Sequence, residues 1–186
     1  MSIYKENILS LDVIEHFDQY CRLLPTDESS NYLWKEEFTK DSNRPECFSQ
    51  QFEGSERFMV QNDLYTNPES PFYKDKRIRN TNIAIQKYPK GASIICHSDR
   101  NIGSFTIFLN KQWGPNDGGM LHWETDEGDK CLLPKYNCGI IVTTDGLNNE
   151  IGPKHWVSAV KSDTPRCAIQ IFMYGDKLAD NELYFD

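Results

Sequence analysis

The chain has 186 residues, a formal charge of −8 at pH 7 and an isoelectric point near 5.0. This length favours a single domain, 1–186, and the acidic balance argues against nucleic acid or an anionic membrane as a partner. The N-terminus lacks a basic segment followed by an apolar one, and no stretch approaches the ~18 apolar residues of a spanning helix. We therefore expect a cytoplasmic protein whose six scattered cysteines are reduced.

The first predicted element is an amphipathic helix in the segment SLDVIEHFDQYCRLLP. Apolar residues, among them Leu11 and Phe17, recur there at steps of three and four. Ser10 stands as the N-cap, and Pro25 marks the end. His16 lies off the apolar stripe, so we expect it at the surface.

Residues 26–76 show no clear period and are rich in aromatic side chains, from Trp34 to Phe72. These rings either pack the N-terminal segment onto a sheet or cover a site. We accordingly divide the chain into helical and irregular N-terminal support at 1–76, a jelly-roll core at 77–175 and a C-terminal tail at 176–186.

After residue 77 the apolar period changes to two, and eight short β-rich segments follow one another between turn signals. They are TNIAIQKYP, ASIICHSD, SFTIFLN, GGMLHWET, KCLLP, CGIIVTT, HWVSAV and RCAIQIFMY. No helical segments separate them, which favours antiparallel pairing. The sequence thus predicts a mainly β protein with an N-terminal helix, a double-stranded β-helix (jelly roll) of about eight strands.

One of these segments ends in a pair of metal-ligand types, His97 and Asp99. Residues i and i+2 of a strand face the same side, so both can point inward if the strand ends there. A second imidazole, from His122 or His155, would complete the two-His-one-carboxylate face that suits Fe(II). His155 opens one strand and Arg166 opens the next.

Arg166 begins an apolar strand, where a buried cation is costly unless an anion meets its planar guanidinium. A bound carboxylate would supply that partner. Ala168, two residues later and on the same face, is small enough to leave room for such a ligand.

Three stretches carry a resemblance to a known family: KYPKGASIICHSD, FTIFLNKQWGPNDGGML, and HWVSAV followed by Arg166. Over about residues 78 to 175 they resemble the 2-oxoglutarate- and Fe(II)-dependent dioxygenases of the prolyl-hydroxylase-like branch. The resemblance implies catalytic Fe(II) held by His97, Asp99 and His155, with 2-oxoglutarate chelating the metal and its distal carboxylate bound by Arg166. O2 is the further cosubstrate and ascorbate an additional candidate.

Further site residues follow from the same resemblance. Tyr88, nine residues before His97, matches a tyrosine that hydrogen-bonds the cosubstrate. Phe108 departs from the pattern, because several relatives carry there a tyrosine that helps the arginine hold the distal carboxylate. We expect Thr106 to substitute for it, with Ser104 and Gln170 as alternatives.

The implied reaction is hydroxylation of a C–H bond, coupled to conversion of 2-oxoglutarate to succinate and carbon dioxide. Asp99 favours hydroxylation because halogenating relatives replace this carboxylate. The resemblance implies a prolyl residue of a peptide or protein as substrate, and a free amino acid or small metabolite is the alternative. A non-catalytic, cupin-like jelly roll that binds a metal or a partner is the alternative of another class.

A candidate lid precedes the core. The segment from about Phe58 to Lys76 carries two prolines beside aromatic residues and leads directly into the strand with Tyr88. We expect it to become ordered over the iron when substrate binds. Fixed packing against the sheet is the alternative.

Overall fold

The computed structural model describes residues 2–23, 47–76, 78, 81–99, 103–143 and 153–173. Its helices and strands, in chain order, are β1 Ser2–Glu6, α1 Leu11–Leu23, β2 Phe48–Gln51, α2 Gly54–Thr66, β3 Thr81–Tyr88, β4 Ile94–His97, β5 Gly103–Phe108, β6 Leu121–Trp123, β7 Lys130–Leu132, β8 Cys138–Thr143, β9 His155–Val157 and β10 Arg166–Met173. The predicted helix end at Pro25, the aromatic Trp34 and the tail 176–186 lie outside the described residues.

The strands form two antiparallel sheets. The larger has the order β1-β8-β5-β10-β3-β2 and the smaller the order β4-β9-β6-β7. All eight segments predicted as strands are strands, β3 to β10, and the chain crosses between the sheets as it passes along them. The predicted jelly roll is confirmed.

Both faces of the large sheet are buried. Alternate residues of its strands point to opposite sides, so each strand contributes to two clusters. On β10, Ile169 and Ile171 face the helices and belong to a cluster that we call the helix-side core. Arg166 and Ala168 face the small sheet, where Ala168 joins a second cluster that we call the barrel core. The interior of the barrel is therefore lined by one face of each sheet.

Helix α1 confirms the predicted amphipathic helix, with one difference. Phe17 is buried in the helix-side core, and His16 is exposed as expected. Leu11, however, is 70% exposed. The two residues that lead into the helix, Ile8 and Leu9, are already buried and occupy the apolar space at this end.

Three elements lie where the sequence suggested none: β1, β2 and α2. Strand β2, FSQQ, has no β-branched residue. Helix α2 has no side-chain N-cap and buries only Val60 and Leu64, so its apolar period is too weak to read. These elements exist because the large sheet offers an edge and an apolar face that they cover.

The segment expected to close over the metal lies elsewhere. Residues 58 to 76 form most of α2 and the turns after it, and Val60, Leu64 and Phe72 are buried in the helix-side core. The ring of Phe72 packs on that of Phe105 with centroids 5.4 Å apart. These contacts favour the alternative of fixed packing, because they hold the segment on the face of the large sheet opposite the barrel interior, and the lid stays a prediction.

Among the described helices, none has the length and apolar character needed to cross a bilayer.

Candidate active site

The strand pair β4 and β9 brings two histidines face to face. His97 pairs with His155 in the antiparallel register, and Ile94 pairs with Val157. The register shifts between these two pairs, so Ile94 and His97 both point into the barrel although they are three residues apart. The irregularity in β4 thus directs His97 toward its partner.

Asp99 completes a cluster of three potential ligands. Strand β4 ends at His97, and the carboxylate of Asp99 lies 3.7 Å from His97 Nε2 through Oδ1 and 3.5 Å from His155 Nε2 through Oδ2. One ligand atom from each residue lies within 4.8 Å of the others. If three ligand atoms each lie about 2.0–2.2 Å from one divalent ion, the distances between those atoms must be similar to the 3.5 and 3.7 Å measured here.

Both imidazoles are held in the orientation that metal binding needs. His97 Nδ1 donates to the carbonyl oxygen of Ile95 at 2.8 Å, and His155 Nδ1 donates to that of Pro153 at 3.1 Å. Since a carbonyl can only accept, each Nδ1 carries a proton, and in a neutral ring Nε2 then presents its lone pair toward Asp99. Burial, with a smaller contribution from His155, lowers the pKa of His97 and favours its neutral, metal-binding form.

Arg166 is a buried cation, and no carboxylate among the described residues pairs with it. Its residue is 1% exposed, and its guanidinium lies over the rings of Tyr88 and Phe108 at 4.6 and 5.1 Å. Within the part of the chain that the structure describes, Nε and Nη1 have no hydrogen-bond partner. An unpaired buried charge is costly, so this guanidinium suits an anionic ligand, as a carboxylate would provide.

Gly119 makes room for the stem of this arginine. A Cβ at Gly119 would lie 2.7 Å from Arg166 Cδ, and its backbone has φ +62°. Ala168 is fully buried on the same face as Arg166 and beside Phe108. The absence of a side chain at Gly119 thus permits the close approach of Arg166.

Tyr88 lies opposite Arg166 in the β3–β10 pair. Its hydroxyl donates to Gln86 Oε1 at 2.6 Å, and burial raises its pKa well above the usual range, so it remains a neutral donor. The tyrosine thus contacts the arginine, and its bond to the cosubstrate stays a prediction.

Thr106 lies farther from the arginine. Its hydroxyl donates to Gln170 Oε1 at 2.6 Å, and Gln170 comes four residues after Arg166, about 13 Å along the strand. On the same strand as Thr106, it is Phe108 that contacts the guanidinium. The structure therefore does not bring Thr106 to Arg166, and its cosubstrate role remains a prediction.

His122 faces away from the barrel. It pairs with Trp156 across β6 and β9, and the two rings stack 5.2 Å apart at an interplanar angle of 5°. Residues of one strand alternate between faces, so His122 and His155 lie on opposite sides of the small sheet. Of the two candidate second imidazoles, only His155 joins the cluster.

Trp123 lies beside the cluster of His97, Asp99 and His155. It pairs with His155 across β6 and β9 and belongs to the barrel core. Its Nε1 is buried and without an acceptor in the described ranges. Side chains in GGMLHWE alternate between the two faces of the strand, so Trp123 and His122 point to opposite sides. This alternation was the signal that could have placed Trp123 beside the cluster of potential ligands.

No family model matches this sequence, and no curated protein matches it either. Solved structures do. A Pseudomonas putida prolyl-4-hydroxylase is 17% identical, with a TM-score of 0.65 over 94% of this chain and 92% of that one. A prolyl hydroxylase from Trichoplax adhaerens, in complex with a hypoxia inducible factor peptide fragment, is 15% identical, with a TM-score of 0.66 over 97% and 86%.

A viral collagen prolyl hydroxylase from Paramecium Bursaria Chlorella virus-1, in complex with 2-oxoglutarate, is 14% identical. Its TM-score is 0.60 over 92% of this chain and 94% of that one. Across almost their whole lengths, this chain has the double-stranded β-helix fold of these hydroxylase structures.

Proposed function

We propose that this protein is a 2-oxoglutarate- and Fe(II)-dependent dioxygenase that hydroxylates a C–H bond. The observation that supports this most is the pairing of two incomplete sites within one barrel. His97, Asp99 and His155 form a cluster suited to a metal, and Arg166 is a buried cation without an anion among the described residues. A metal-chelating dicarboxylate completes both.

The residues fit these groups in type as well as in position. Two imidazoles and one carboxylate form the facial triad that leaves coordination positions open on Fe(II). When bound, iron and cosubstrate supply the oxidising chemistry, which consumes O2 and releases succinate and carbon dioxide. The chain itself holds the metal and orients the dicarboxylate through Arg166. Leu121 and Val157 form an apolar wall in the barrel that excludes water.

We further propose a prolyl residue of a peptide or protein as the substrate. This rests on the fold shared with prolyl hydroxylases, one of them solved with a bound peptide fragment. We also propose a reducing compartment such as the cytoplasm, because all six cysteines are free. We propose, finally, that residues 1–186 form a single domain with residues 77–175 as its catalytic core.

The test is an assay of succinate formation by Fe(II)-loaded protein with 2-oxoglutarate and O2. Proline-containing peptides, free proline and other amino acids are compared as substrates, and Asp99→Ala serves as the inactive control. We expect succinate above the control, increased by peptides and accompanied by their hydroxylation. Metal binding without any binding or turnover of 2-oxoglutarate would instead indicate the non-catalytic, cupin-like alternative.

A further inference from the structure

Trp123 is a buried hydrogen-bond donor beside the candidate metal ligands. The residue is 7% exposed, and its Nε1 finds no acceptor among the residues that the structure describes. A buried indole N–H usually has a partner, because leaving it unpaired forfeits its hydration without compensation. An acceptor from a bound molecule is therefore expected at this atom.

The strand register places Trp123 next to the metal cluster. Trp123 pairs with His155 across β6 and β9, and His155 pairs with His97 across β9 and β4. The three residues form one row on the barrel side of the small sheet. Adjacent strands are about 4.8 Å apart, so Trp123 stands one strand away from a metal ligand.

Arg166, on β10, approaches the residues that lead into β6, the strand of Trp123. Its Cδ lies 2.7 Å from where a Cβ on Gly119 would stand, and Gly119 precedes Trp123 by four residues. A dicarboxylate that joins the metal to Arg166 therefore directs one carboxylate to the guanidinium. It presents the other near Trp123.

The other tryptophans that the structure describes differ from Trp123. Trp113 Nε1 donates to the carbonyl oxygen of Gly118 at 2.9 Å. Trp156 stacks on His122 on the outer face of the small sheet. In the described part of the chain, Trp123 alone combines burial, an unpaired indole N–H and a position beside the metal cluster.

We propose that Trp123 is a cosubstrate-binding residue whose Nε1–H donates a hydrogen bond to the carboxylate that the 2-oxo acid presents at the metal. Arg166 holds the distal carboxylate and Trp123 the proximal one, so both ends of the cosubstrate are fixed. This inference rests on the proposed function, because it needs 2-oxoglutarate as the ligand.

The first test is a spectroscopic titration of the full chain with ¹⁵N-labelled tryptophan indoles. Zn(II) replaces Fe(II) to prevent turnover, and Trp123→Phe assigns the Trp123 signal. Zn(II), then 2-oxoglutarate, then a proline-containing peptide are added in turn. We expect the Trp123 Nε1–H resonance to move downfield at the second addition, while the Trp156 signal stays in place.

Other outcomes of this titration overturn the inference. A complete shift with Zn(II) alone would identify a protein acceptor, such as Asp99. A shift only with the peptide would identify a substrate contact. Calorimetric binding of 2-oxoglutarate without any shift would show that Trp123 does not contact it, whereas no binding of 2-oxoglutarate at all would contradict the proposed function itself.

The second test separates the two ends of the cosubstrate by affinity. Trp123→Phe should weaken binding of 2-oxoglutarate about tenfold, and that of 2-oxobutyrate, which lacks the distal carboxylate, by a similar factor. Arg166→Lys should weaken only 2-oxoglutarate, and Trp156→Phe should leave both affinities within twofold. Equal affinities of Trp123→Phe and wild type would overturn the inference, and the wild-type titration decides if that variant does not fold.

Discussion

His97 and His155 face each other in register across β4 and β9, with ring centroids 4.3 Å apart. Each has its Nδ1 on a backbone carbonyl, so each Nε2 is turned toward Asp99. Two rings on different strands therefore act as one chelating unit with the carboxylate that follows β4.

Replacing any one of His97, Asp99 or His155 with Ala should greatly weaken metal binding and abolish turnover. Each change removes one of the three protein ligands, and the remaining two no longer form a facial set. Titration with Fe(II) or Mn(II) measures the affinity. His122→Ala is the matched control, because this imidazole lies on the outer face of the small sheet. An equal loss of affinity in the control would reverse the assignment.

Arg166→Lys should reduce the affinity for 2-oxoglutarate by about ten- to a hundredfold, or about 1.4–2.8 kcal/mol. Lysine keeps the charge but loses the planar fork that meets a carboxylate at two points. Metal affinity should be unchanged, since the guanidinium does not belong to the ligand cluster. Calorimetry with Mn(II)-loaded protein measures both quantities, and unaltered binding of 2-oxoglutarate would refute the role.

Gly119→Ala should weaken 2-oxoglutarate binding as well as stability. The new Cβ would lie 2.7 Å from Arg166 Cδ, so the arginine must move. Gly128→Ala is the control, because Gly128 also has a positive φ, +107°, but nothing within 4 Å of the added carbon. The control should lose only the stability that the new backbone strain costs, about 1–2 kcal/mol, and it should keep its affinity for 2-oxoglutarate. Equal 2-oxoglutarate affinity in the two variants would contradict the close approach.

Helix α2 should be protected from hydrogen exchange in the absence of any ligand. Val60 and Leu64 are buried in the helix-side core, and Phe72 packs on Phe105. Opening the segment would expose that core, so its exchange should follow the stability of the large sheet. Mass spectrometry of exchange with and without Mn(II), 2-oxoglutarate and a proline-containing peptide measures this. Protection that appeared only with substrate would support the lid.

The sequence by itself determined the strand content and the residue types of the site. Period-two segments after residue 77 predicted all of β3 to β10, and the resemblance pointed to His97, Asp99, His155 and Arg166. This was possible because alternation along a strand is a local property and needs no knowledge of partners. The same local logic could not detect α2 or β2, whose residues have weak patterns of their own.

The tertiary structure alone decided which distant residues meet. The resemblance favoured His155 over His122, and the physical reason is that only His155 lies on the face of the small sheet that points into the barrel. The separation of Thr106 from Arg166 depended on the register of β5 with β10. Register and burial arise from pairing between strands far apart in the chain, and one-residue shifts reverse every facing side chain. Composition and spacing carry no record of that pairing, so only the fold could place these side chains.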